Sequence, residues 1–134
     1  MNFNYTISLI LDSGGDSLKL AKGVAWLGLL SMTAVLCYGF ISGDFFKDGS
    51  ELLANPWGVV SMVDLYTGFI LFSMWIVFRE SSRLWALVWL ILMMVLGFFA
   101  GSLYILLALY RSKGSWLDFF LGEQNAKLID ASKP

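Results

Sequence analysis

Three long apolar runs constrain this chain more than any other feature of its sequence. They cover residues 20–42, 56–78 and 83–110. About 20 helical residues cross the ~30 Å hydrocarbon core of a bilayer, and each run is at least that long. Only 14% of the residues are charged and 58% are hydrophobic, whereas about 25% are charged in an average soluble domain. The sequence therefore predicts an all-α integral membrane protein with three transmembrane helices.

Local signals mark the ends of these runs. Asn55 is a favourable helix cap, and Pro56 follows it at the first helical position. Ser82 precedes the third run and Gly114 follows its basic end. The connection 79–82 is short, which predicts that the second and third helices are antiparallel neighbours.

Two short segments flank the first run. Residues 1–19 are interpreted as an N-terminal interfacial segment, either extended or helical, which a glycine turn at 12–15 closes. Residues 43–54 are interpreted as an acidic loop.

The tail, residues 111–134, combines a helix cap with an aromatic cluster. Ser115 and Asp118 have the spacing of a capping box, so a short interfacial helix is predicted to follow Ser115. The alternative is that the cluster docks on a partner chain. Its members are Trp116, Leu117, Phe119, Phe120 and Leu121.

The residues that catalysis and metal binding usually require are scarce. The chain has no histidine, the commonest metal ligand and the usual general base near neutral pH. No nucleophile–base pair or cluster of carboxylates is visible in the sequence, so we predict no catalytic residue, no metal site and no enzymatic activity. The formal net charge of −1 argues against binding to nucleic acid. Cys37, the single cysteine, has no internal disulfide partner.

Asp64 is the one acidic residue inside an apolar run. It lies ~10 Å into the second helix at 1.5 Å per residue, where an aspartate costs about 3 kcal/mol on insertion scales. Depth matching predicts an intramembrane polar pin, in which the Asp64 carboxyl hydrogen-bonds to the Tyr104 hydroxyl or, as second choice, to Tyr38. The alternative is that Asp64 binds a proton or a cation.

Small residues in the third run predict close helix packing. Gly97 and Gly101 form a GxxxG pattern, and Ala108 adds a further small position. The partner helix is either within the three-helix unit or on another subunit. Aromatic residues make up 16% of the chain; they are typical of lipid-facing bulk, and contact with a lipid, quinone or pigment is the alternative. No specific cofactor is predicted.

The second run also resembles a known family of small multi-pass membrane proteins from bacteria and plants, DUF1475. The similarity is carried by NPWG at 55–58, VDLYTGF at 63–69, Trp75 and the pair Arg79-Glu80. In that family an asparagine is expected after Gly97, where this chain has Phe98. The resemblance implies a helical membrane protein and supplies no activity.

These observations favour a non-enzymatic accessory or scaffold subunit that packs against a larger membrane complex, of the energy-transducing kind. The alternative is a small homo-oligomeric proton- or cation-coupled transporter that uses Asp64. The expected partners are membrane lipids and other transmembrane subunits, and the expected location is a bacterial inner membrane or a derived energy-transducing membrane. With three spans, a cytoplasmic N-terminus is favoured by the basic residues of the loops. It places Lys19, Lys22, Arg79 and Arg83 inside and Lys47, Arg111 and Lys113 outside.

Overall fold

The computed structural model describes the backbone of residues 3–131 and the side chains of residues 15–128, 130 and 131. Within this part of the chain the secondary structure is entirely helical, as the sequence predicts. The helices are α1 (Phe3–Ser42), α2 (Phe45–Ala54), α3 (Pro56–Arg79), α4 (Arg83–Leu96), α5 (Phe98–Arg111), α6 (Trp116–Leu121) and α7 (Glu123–Ala131).

Among the described residues, two helices are long and apolar enough to cross a membrane. They are Gly15–Ser42 within α1, with a mean hydropathy of 1.9, and Pro56–Arg79, with a mean hydropathy of 1.7. At 1.5 Å per residue they extend over about 42 and 36 Å. Asn55 caps α3 as predicted, since its side chain accepts a hydrogen bond from the Trp57 amide and Pro56 follows.

The prediction that residues 83–110 form one continuous helix is wrong. The run is divided at Gly97 into α4 and α5, each of 14 residues. The rings of Trp89 and Tyr104 lie 5.1 Å apart, whereas in one straight helix these residues would be about 22 Å apart along the axis. The chain therefore reverses direction at Gly97, and α4 and α5 form a helical hairpin.

The backbone at Gly97 explains this reversal. Gly97 has φ +58° and ψ −140°, a conformation that side chains with a Cβ rarely adopt. Its amide still donates to the Met93 carbonyl at 3.0 Å, which ends α4. A Cβ at this position would also lie 2.9 Å from Cζ of Phe69. The hairpin therefore depends on glycine for both its conformation and its close contact with α3.

The hairpin packs between α1 and α3. Helix α1 runs antiparallel to α5. This direction is shown by two contacts: the Lys22 ammonium lies over the Tyr110 ring, and Gly28 lies against Ser102. Helix α3 packs on α4 as its antiparallel neighbour, which confirms that prediction, whereas α1 and α3 have no comparable contact with each other. The central cluster of buried apolar side chains comprises Leu18, Ala25, Leu106, Ala108, Leu109 and Phe119.

Two of the predicted non-helical segments are helical. Helix α1 continues from residue 3 through the predicted turn at 12–15, because glycine weakens a helix by only about 1 kcal/mol unless it adopts a left-handed conformation. Residues 43–54 are not a loop, since they contain α2. The Asp44 side chain accepts from the Lys47 amide and caps this helix.

Candidate functional site

The most buried charged group among the described side chains is Arg79, at the last turn of α3. Its side chain is only 5% exposed. The guanidinium donates through Nε to the Phe119 carbonyl at 2.8 Å and through Nη1 to the Tyr104 hydroxyl at 3.3 Å. Nη1 also lies 3.5 Å from Oε1 of Glu80. A buried charge of this kind is tolerated only when it is paired and hydrogen-bonded, as it is here.

Tyr104 joins this ion pair to the hairpin. Its hydroxyl donates to Oε1 of Glu80 at 2.8 Å while accepting from Arg79, and its ring packs against Trp75 and Trp89. Burial, the largest influence, raises the pKa of Tyr104, which lies outside both candidate spans, to about 12. The hydroxyl therefore keeps its proton and remains a donor to the carboxylate. Arg79, Glu80 and Tyr104 are called the charged cluster below.

The tail closes over the charged cluster. Ser115 caps α6 by accepting from the Asp118 amide, which confirms the predicted helix start. The Trp75 indole donates to the Phe120 carbonyl at 3.2 Å. Gly122, with φ +55°, lies so close to Arg79 that a Cβ would be 2.7 Å from the arginine Cγ. The short helix α6 and the glycine turn thus bring the Phe119 carbonyl within reach of the buried guanidinium.

A polar cavity of about 300 Å³ opens beside the charged cluster. It brings together cationic and acidic groups from α3, α5, α6 and α7. The lining residues are Arg79, Glu80, Arg111, Lys113, Asp118, Gly122 and Glu123. The equal number of positive and negative groups gives the cavity no net formal charge, so it does not have the electrostatics of a site for a strong anion.

The chemistry available at the charged cluster is that of a structural ion pair. Arg79 and Glu80 satisfy one another and Tyr104, and no serine or cysteine nucleophile lines the cavity. Within the described residues there is no group of three His, Cys, Asp or Glu side chains that could hold a metal ion. The arrangement fixes the end of α3 to the hairpin and the tail.

The predicted polar pin between Asp64 and Tyr104 is wrong. Tyr104 bonds to Glu80 and packs on Trp75, and Trp75 lies about 16 Å from Asp64 along α3. The prediction assumed a straight third helix, whereas the hairpin carries Tyr104 back towards the end of α3. Asp64 is exposed and Tyr38 is 72% exposed; neither has a hydrogen bond within the described part of the chain.

The small residues of the third run have three separate roles. Gly97 is the hairpin turn. Gly101 is buried, and a Cβ there would lie 3.3 Å from the terminal methyl of Met93 on α4. Ala108 is 1% exposed in the central cluster with α1 and α6 residues. Their close packing is thus within the chain, which was one of the two predicted alternatives.

The aromatic cluster of the tail is divided between the interior and the surface. Phe119 is 8% exposed and packs against Trp75. Trp116 donates to the Ser17 hydroxyl of α1 at 3.1 Å. Leu117 and Phe120 are 58% and 53% exposed, and Leu121 is half-buried. Of the cluster, Leu117 and Phe120 are therefore the residues exposed for the predicted interfacial or partner-docking role.

An apolar groove of about 440 Å³ lies between α3 and α4. The Oγ of Ser73 is buried there and has no hydrogen-bond partner within the described residues. The groove is lined by Ile70, Ser73, Met74, Val77, Phe78, Leu90 and Met94. Its composition matches the surroundings of a hydrocarbon chain.

Sequence reasoning missed the charged cluster itself. Arg79 and Glu80 were interpreted only as the residues that close the second run and begin the short connection to the third. The signal that could have found them is the adjacency of opposite charges at the end of an apolar helix, where burial requires pairing. Their partner Tyr104 could not be found without the hairpin.

The fold and the charged cluster define a small helical protein in which two long apolar helices flank the α4–α5 hairpin, which turns at Gly97. A model of the family described as a protein of unknown function (DUF1475) matches residues 16–119. The chain belongs to this family, as the resemblance in its second run predicts. The match includes the hairpin and most of α6. No curated protein and no solved structure matches the chain.

Proposed function

We propose that this chain is a non-enzymatic accessory subunit that is embedded in a membrane and docks on a larger membrane protein. Helices α1 and α3 would cross the bilayer, and the α4–α5 hairpin would enter it from one side and return. Helices of 10–14 residues are too short to span and suit a re-entrant segment. The observation that carries the docking proposal is the exposed carboxyl of Asp64, which has no hydrogen-bond partner among the described residues.

The depth of the hairpin explains why Asp64 lacks a partner. The hairpin turn lies against Phe69, about 15 Å along α3 from Arg79. Asp64 lies a further five positions along the helix, about 8 Å beyond the turn. At that level only α1 and α3 remain, and these two helices do not pack closely. A carboxyl at this depth needs a polar partner, which a helix of another subunit would supply.

The distribution of basic residues supports this membrane topology. A hairpin returns the chain to the side of the membrane from which α4 enters. The start of α1, the end of α3 and helix α6 therefore lie on the same side. The contacts of Lys22 with Tyr110 and of Gly122 with Arg79 support the same grouping. Lys47 in α2 is on the opposite side. The basic residues of the first side include Lys19, Lys22, Arg79, Arg83, Arg111, Lys113 and Lys127. This asymmetry favours a cytoplasmic location for that side.

Native electrophoresis of the chain in mild detergent tests the docking proposal. The affinity-tagged chain should migrate in a complex larger than its own mass. Asp64→Leu should release it, while the adjacent, exposed Val63→Leu should leave the complex intact. Asp64→Asn, which keeps hydrogen-bonding capacity, should retain most of the complex. Migration of the native chain as a free monomer, or equal complex yield for Asp64→Leu and Val63→Leu, would contradict the proposal.

The second candidate is a homo-oligomeric proton- or cation-coupled transporter. It is favoured by the same exposed carboxyl, because no hydrogen bond to a described residue occupies the oxygen atoms that a proton or cation would bind. For a transporter, Asp64→Asn should not preserve function, in contrast to the docking proposal. Removing the ionisable group should abolish flux in reconstituted vesicles without changing the oligomer. Equal flux for the native chain and Asp64→Asn would remove this candidate.

A further inference from the structure

Helix α2 has an apolar face that is largely exposed, although its Leu52 side chain lies close to Gly58 of α3. Phe45 and Phe46 are 84% and 86% exposed, and Leu52 and Leu53 are 42% and 59% exposed. At 100° per residue these four side chains lie on one side of the helix. The opposite side carries Lys47, Asp48, Ser50, Glu51 and Ala54. Such a strongly amphipathic helix is suited to the boundary between an apolar and an aqueous medium.

The neighbours of α2 fix where that boundary is. Only Gly43 and Asp44 separate α2 from the end of α1, and only Asn55 separates it from α3. Both neighbours are the candidate spans. If these spans cross the bilayer, as in the proposed function on which this inference rests, α2 must lie at the depth where both end, which is the headgroup region.

The corner between α2 and α3 is rigid. Gly58 is buried against α2, and a Cβ at this position would overlap the Leu52 carbonyl oxygen. Because the obstacle is backbone, a side chain at 58 could be accommodated only if the corner opened. At the other end, the Asp48 carboxylate accepts from the Asp44 amide at 2.8 Å. The contact between Gly58 and Leu52 fixes α2 against the start of α3, and the bond to Asp48 ties the start of α2 to its own cap.

We propose that α2 is a membrane-surface anchor whose apolar face inserts into the headgroup region of a neutral, zwitterionic leaflet. The preference follows from the charges near the polar face, where Asp44, Asp48 and Glu51 oppose Lys47 alone. An anionic lipid surface would repel this face. The side on which α2 lies is the one poor in basic residues, so the charge of the helix and the proposed topology of the spans agree.

Spin labels on the two faces of α2 test this proposal. Cys37 is the only cysteine, so Cys37→Ser gives a background for Leu53→Cys and Glu51→Cys, which point about 160° apart. The labelled chains are reconstituted in phosphatidylcholine vesicles. The Leu53 label should collide mainly with oxygen, which concentrates in lipid, and the Glu51 label mainly with a water-soluble nickel chelate. With equal parts of phosphatidylglycerol, the oxygen preference at Leu53 should decrease.

Three results would overturn the proposal. The first is equal access of the nickel chelate to the labels at Leu53 and Glu51. The second is protection of the Leu53 label from both oxygen and nickel, which a protein partner would give. The third is an oxygen preference at Leu53 that phosphatidylglycerol does not change. A Gly58→Ala variant should reduce the contrast between the two faces, whereas Gly68→Ala, which meets nothing within 4 Å, should keep it. A label at the exposed Leu71 of α3 distinguishes failure of the anchor from failure of the proposed membrane topology. Access of the nickel chelate to Leu71 would refute the membrane-spanning α3. Access of oxygen to Leu71, together with access of nickel to Leu53, would refute only the anchor.

Discussion

Replacing Gly97 with alanine separates the hairpin from a straight third helix, because the two structures predict opposite signs. In a continuous helix, Gly97→Ala would stabilise by about 0.5–1 kcal/mol, the difference in helix propensity. In the hairpin the same change forces alanine into φ +58°, which costs about 1–3 kcal/mol. Its Cβ would also lie 2.9 Å from the Phe69 ring, and such overpacking costs about 1–3 kcal/mol. We therefore expect a loss of about 2–6 kcal/mol.

Unfolding of the detergent-solubilised chain in increasing dodecyl sulfate, followed by tryptophan fluorescence, measures this loss. Gly68→Ala is the matched control, since it lies in α3, has no positive φ and meets nothing within 4 Å. It should change the free energy of unfolding by less than about 1 kcal/mol. A Gly97→Ala chain as stable as the native one, or more stable, would refute the hairpin.

Two further predictions concern Tyr104. Tyr104→Phe removes the donor to Glu80 and should destabilise the chain by about 1–3 kcal/mol; the control Tyr66→Phe, whose hydroxyl has no partner within the described residues, should change stability by less than about 0.5 kcal/mol. Equal effects in the same unfolding assay would contradict the charged cluster. Asp64→Leu and Tyr104→Phe should be additive within about 0.5 kcal/mol, since the two residues are far apart. A larger coupling energy in the double-mutant cycle would restore the polar pin.

The sequence predicted those features that depend on neighbouring residues. Asn55 and Pro56 fix the start of α3, and the cap at Ser115 starts α6, because these interactions involve residues only two or three positions apart. The hairpin was missed because the residues around Gly97 are uniformly apolar and lack proline. Yet the run of 83–110 would extend about 42 Å as one helix, more than a ~30 Å hydrocarbon core requires. A glycine at its midpoint was the available signal.

Several further errors follow from that one. Depth matching paired Asp64 with Tyr104 because it used the direction of a straight helix, and the same assumption divided the basic residues between two sides. The charged cluster requires α3, the hairpin and α6 to meet, so its contacts join residues about 25–40 positions apart. No local pattern specifies such contacts. Helix α2 was missed for a different reason, since its acidic residues and Gly49 obscured an amphipathic period.

Cysteine accessibility across a sealed membrane tests the two-span topology most directly. In the Cys37→Ser background, single cysteines replace Ser50 in α2, Ser81 before α4 and Lys113 after α5, all of which are exposed. A membrane-impermeant maleimide is added to sealed vesicles from one side and then from the other. The hairpin predicts that positions 81 and 113 react from the same side and position 50 from the opposite side. Reaction of position 113 together with position 50, and not with position 81, would contradict the account and restore a third span.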